Sequence, residues 1–354
     1  MLDKEDLNYV ISVLKGENVY ECHDWYAVSG FLSCHKISGL FYNRALEGEV
    51  FLPDKIRKKL REDFFRQKRK VELLRKELVS VTDKLADVKY SVLKGSVLSN
   101  IYYPAENDSI YEDGERVSND IDLLVRQEDI AVVSELLKEM EFEQGIYDYE
   151  SKSIRKFSRT EIVKRRMNRG EIAPFVKLTG NAEFPFVEID INFSLGNVPG
   201  VGNELLTAIV ESSEIRKGKI PLKAATDELF FLHLIMHQYK ESELLFMTQR
   251  NKDFDLYKLA DIYYLIQKNF INYNTLEGYV RRYGIEQETG TVLEQVGEVF
   301  ENEKITELSK KYSHSPVKIK DYENKKIYVR TASVSDCIRE FSSARFLKEV
   351  KNDR

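Results

Sequence analysis

The stretch that most constrains this chain is residues 90–125, YSVLKGSVLSNIYYPAENDSIYEDGERVSNDIDLLV. It reads as an apolar strand, then Lys94-Gly95-Ser96, a helical turn from Ser96 toward Tyr102, a polar excursion, and Asp120-Ile121-Asp122 leading into a second apolar strand. Side chains alternate across a strand, so Asp120 and Asp122 share one face while Ile121, Leu123 and Val125 take the other. Two carboxylates held that close at the end of a buried strand repel, and each tends to stay protonated unless something positive lies between them. A divalent cation meets that need, and oxygen ligands without Cys or His favour magnesium or manganese.

The 354 residues exceed one typical domain. Residues 1–88 read as helical: Leu7, Val10, Ile11 and Leu14 recur at helix spacing, and a second periodic stretch runs from Pro53 to Val88. The basic first part of that stretch is interleaved with Glu and Asp, as a solvated face would be. Residues 89–200 alternate strand-like and helix-like signals, including an amphipathic helix over 129–140 and the alternating strand FVEIDINF at 186–193. That strand puts Glu188, Asp190 and Asn192 on one face and brings a third carboxylate beside the first pair. The turn-rich Gly196–Gly202 closes this region. Residues 201–330 return to helices, with Thr226 as an N-cap and core spacing over Leu256–Gln267, and residues 331–354 form a final helix with a frayed end. The fold class expected is α+β, a mixed sheet with helices, flanked by helical regions on both sides.

A formal charge of −5, without long blocks of either sign, argues against a broad nucleic-acid surface. Cys22, Cys34 and Cys337 show neither paired nor C-x-x-C spacing, which fits a reducing cytoplasm. No signal peptide or membrane-spanning run is read. A second Asp-x-Asp, Asp253-Phe254-Asp255, has no Gly-Ser strand before it and leads into a helix, so it is read as capping or surface charge. His233 and His237 are four apart on one helix face. A structural, hydrogen-bonded role, a nucleotide or acceptor contact and, least, a metal-ligand role are open for them.

The pattern resembles the DNA polymerase beta-like nucleotidyltransferase superfamily: a strand ending in Gly-Ser, a strand carrying Asp-x-Asp, and a later carboxylate. Leu93-Lys94-Gly95, Tyr102-Tyr103-Pro104 and Arg116-x-Ser118-x-Asp120-Ile121-Asp122-Leu123-Leu124-Val125 are similar, more closely, to the bacterial uncharacterised nucleotidyltransferase family. That resemblance implies transfer of a nucleoside monophosphate from a nucleoside triphosphate, ATP included, to a small-molecule, peptide or protein acceptor, with release of pyrophosphate. It implies two Mg2+ ions, or Mn2+, on Asp120, Asp122 and Asp190, with Glu188 the competitor for third ligand. Gly95 and Ser96 would receive the phosphates, with Lys94 adding charge; for Arg116 and Ser118 both triphosphate binding and loop anchoring stay open. Asn192 and Phe193 depart from the family's usual His and Trp. The rival reading is a catalytically inactive nucleotide-binding or regulatory module on the same fold.

Overall fold

In the computed structural model, residues 2–350 are described except 18–19, 102–108, 117, 167–169, 198–199, 313–314 and 341–342. Tyr102, Tyr103, Pro104 and Arg169 therefore lie outside the described residues, as does much of the acidic loop. The architecture is α+β, and the chain gathers into two compact units that are discontinuous in sequence. One comprises Met1–Gln67, Gly114–Val117 and Leu234–Arg354; the other comprises Lys68–Asp113 and Ser118–His233.

The second unit holds a six-stranded sheet built from β1 (Tyr90–Val92), β2 (Ile121–Val125), β3 (Glu143–Asp148), β4 (Ser153–Lys156), β5 (Phe175–Leu178) and β6 (Phe186–Asn192). Their order is β1-β2-β6-β5-β3-β4. Every neighbouring pair is antiparallel except β2 and β6, which run parallel at the centre. Alternation decides the faces: Ile121, Leu123 and Val125 of β2 and Val187, Ile189 and Ile191 of β6 are wholly buried. The helix Asn203–Glu211 packs on β1 and β2 through a face that buries Leu205, Leu206, Ile209 and Val210. Residues 88 and 200, taken from the sequence as boundaries, both lie inside this unit, because the chain adds to it this helix and the hairpin strands Glu214–Arg216 and Leu222–Ala224.

The first unit is largely helical. Lys4–Lys15 is capped by Asp3, whose side chain accepts from the Asp6 amide, and it ends on left-handed Gly16. The short segment Gly114–Val117 belongs here too, and packing explains its glycine. Gly114 has φ +104°, and a Cβ on Gly39 would meet the Gly114 carbonyl oxygen at 1.9 Å, so both positions need a bare backbone. The buried Glu115 accepts from Asn43 Nδ2 at 2.9 Å, and Arg44 lies 3.7 Å from it.

Two expectations for this unit fail. The final helix covers only Val334–Glu340; residues 347–350 form a strand paired to Lys326–Arg330, which also pairs with Ile319–Asp321. These short edges alternate weakly, and nothing local signals their partner. For Asp253 and Asp255 the surface reading fails while the capping reading holds by position: Asp255 is the N-cap residue of Leu256–Gln267, and both are buried, with Asp253 holding Arg330 at 2.7 Å and Asp255 3.2 Å from Lys258. No described helix is long and apolar enough to cross a membrane.

Candidate active site

The site grows from the end of β1. The Leu93 amide donates to the Asp122 carbonyl at 3.0 Å, which brings the next residue level with β2. Lys94 then adopts φ +51°, the left-handed conformation that residues with a side chain rarely take, and begins the short helix Lys94–Leu98. Had β1 continued through it, Lys94 would face away. The turn instead places its Nζ 2.7 Å from Asp122 Oδ1, with both side chains mostly buried. Gly95 and Ser96, also buried, line one hollow with Ser118, whose hydroxyl donates to the Asp120 carbonyl at 3.3 Å.

The parallel pairing of β2 with β6 sets Asp122 directly beside Asp190 and Leu124 beside Asn192. Neighbouring strands lie about 4.8 Å apart, so the two carboxylates start from adjacent backbones on one sheet face. Asp120 immediately precedes β2. Glu188 lies two residues before Asp190 on the same face of β6, and Glu171 bridges Asn192 from the antiparallel side. Five acidic residues thus converge on one region of the second unit.

Their electrostatics follow from crowding in a dry place. Burial pushes the Asp122 carboxyl up to about 6 against the pull of Lys94, with Asp120 and Glu171 adding to the rise. Burial likewise holds Asp190 well above the usual carboxylate range, reinforced by Asp120, Asp122, Glu188 and Glu171. Glu188 is pushed up to about 7 by burial and Asp120, opposed by Lys70 and Arg165. For Lys94, burial alone would favour the neutral amine, but the fields of Asp122, Asp120 and Glu171 overcome it and hold the ammonium protonated.

A set of hard oxygen donors that crowd one another and have drawn in an ammonium suits a divalent cation of the magnesium type. Among the described residues, the grouping whose ligand atoms all lie within 4.8 Å of one another is Asp3, Asp6 and His23. That grouping is explained by capping: Asp3 accepts from the Asp6 amide, and the two oxygens of Asp6 accept from the His23 and Asp24 amides.

Arg116 belongs to the first unit, where its buried guanidinium donates to both oxygens of Asp261 at 2.8–3.1 Å and lies over the Tyr257 ring. His233 is buried, and His237 lies 3.7 Å from Glu241. Sequence reasoning missed Glu171: it sits on no alternating strand, and only its bridge to Asn192 reveals that it faces the acidic cluster.

Comparison with known proteins gives one positive finding: a family model described as "Uncharacterised nucleotidyltransferase" matches residues 21–301. Neither the curated proteins nor the solved structures yield a match.

Proposed function

The chain belongs to the uncharacterised nucleotidyltransferase family, and on that premise we propose that it transfers a nucleoside monophosphate from a nucleoside triphosphate to a small-molecule, peptide or protein acceptor. An acceptor oxygen forms a bond to the α-phosphorus, the bond from that phosphorus to the bridging oxygen breaks, and pyrophosphate leaves. Positioning and charge neutralisation carry most of such a reaction. Asp120, Asp122 and Asp190 are the residues to hold magnesium, or manganese, which would neutralise the triphosphate and stabilise the leaving oxygen.

The chain's own groups have distinct tasks in this reading. Ser96 offers a hydroxyl, and Gly95 a close backbone approach, to the phosphates. Glu188, with its carboxyl at about 7, is suited to take the proton that the acceptor gives up. The observation that carries the proposal is the register pairing of Asp122 with Asp190 on parallel strands, next to the Lys94-Gly95-Ser96 turn.

The test is pyrophosphate release from each of the four ribonucleoside triphosphates with Mg2+ or Mn2+ and a panel of acceptors. Asp120→Asn and Asp122→Asn are expected to cost on the order of 10²–10³-fold in turnover while leaving the circular dichroism spectrum unchanged. Triphosphate binding without turnover under any acceptor would favour the inactive module, a reading supported by the ion pair that already engages Asp122.

A further inference from the structure

We propose that Lys94 is a resident counter-ion of the acidic cluster, one that yields Asp122 to a divalent cation and turns its freed ammonium to the triphosphate. The inference rests on the metal-dependent reading above and adds to it a competition between one side chain and the cation for a single carboxylate.

Three observations carry it. The ammonium lies 2.7 Å from Asp122 Oδ1, with the lysine and aspartate side chains only 18% and 6% exposed, so water shares little of the charge. It also sits in the fields of Asp120 and Glu171. Burial and mutual crowding hold Asp122, Asp190 and Glu188 above the usual carboxylate range even with Lys94 at Asp122 and Lys70 and Arg165 opposite Glu188, so the cluster stays short of positive charge. Finally, the contact depends on a left-handed backbone at Lys94, a conformation retained only where the surroundings over-determine it. A divalent cation brings more charge to the same oxygens than an ammonium does. Because Lys94 directly precedes Gly95 and Ser96, the same flexible stem can turn its charge to phosphates held there without moving its anchor.

The experiment uses the full chain and reads Mn2+ binding without nucleotide, by the electron paramagnetic resonance of free Mn2+, in wild type, Lys94→Met and Lys94→Gln. Both variants are expected to bind Mn2+ at least tenfold more tightly than wild type, and to bind a non-hydrolysable triphosphate with Mg2+ at least tenfold more weakly. Unchanged or weaker Mn2+ binding in the variants, with clear binding in wild type, overturns the exchange and leaves the metal-dependent reading standing. Absence of Mn2+ binding in every form, wild type included, overturns both. Should the variants fail to fold, reductive methylation of wild-type Lys94 decides. Its labelling rate is expected to rise several-fold when Mn2+ is added and to fall again with the triphosphate, whereas a rate indifferent to Mn2+ overturns the exchange.

Discussion

At the scale of single residues, the molecule distinguishes charges that are spent from charges held ready. Arg116 and Asp261 are spent: both are buried and joined through both carboxylate oxygens. Removing one partner strands the other, so Arg116→Ala is expected to cost about 3–5 kcal/mol in urea unfolding, with Arg116→Met/Asp261→Leu recovering much of it. His35 is a second spent group. Its Nε2–H donates to the Ile338 carbonyl at 3.2 Å, its Nδ1 accepts from the Leu256 amide at 3.3 Å, and burial lowers its pKa from 6.5 to about 4. The unfolded chain therefore takes up a proton first as pH falls. The stability that neutral His35 contributes is complete above pH 6.5 and is lost down to about pH 4, by about 3 kcal/mol at most. His35→Asn should flatten that part of the stability profile. In the proposed reaction Glu188 is the group held ready as base, so Glu188→Gln is expected to lose most of the rate of pyrophosphate release. Asp190→Asn, by contrast, should lose metal binding.

At the scale of elements, what could be read in the sequence is what obeys a local rule. The helix Leu256–Gln267 matches its apolar period, the strand Phe186–Asn192 matches its alternation, and the turn after β1 follows from Lys94-Gly95-Ser96 next to apolar runs. From the same alternation came the shared face of Asp122 and Asp190. The strands at 319–321, 326–330 and 347–350 were not readable, because each is short and is specified by a partner rather than by its own pattern. Glu171 and the left-handed turn of Lys94 were hidden for the same kind of reason: both depend on contacts set elsewhere in the fold. The glycine pair also acts at this scale. Gly39→Ala would drive a methyl into the Gly114 carbonyl and is expected to destabilise the helix Ser38–Glu47 by about 1–3 kcal/mol, visible as a lower melting temperature.

At the scale of the whole molecule, the chain leaves and re-enters its second unit around Gly114–Val117, and that unit closes only at His233. A fragment of residues 89–200 lacks the unit's share of the helix Asp54–Lys84 and the whole of Asn203–Glu211, whose apolar face covers β1 and β2. It is expected to remain unfolded by circular dichroism. Residues 68–233 contain every strand of the sheet, the unit's share of Asp54–Lys84 and the whole of Asn203–Glu211, and should unfold cooperatively. If both fragments behave alike, the division into these units is wrong.

The central parallel pair carries one more consequence. Because residues alternate between faces, sliding β2 by a single position against β6 would turn Asp122 into the apolar layer and lift Leu123 out of it. Misassembly of this sheet would therefore cost a buried acid as well as lost packing. Asp122 thus penalises a slipped register as well as facing the cluster, so Asp122→Leu is expected to weaken that penalty, read as a lower yield of native protein on refolding from urea.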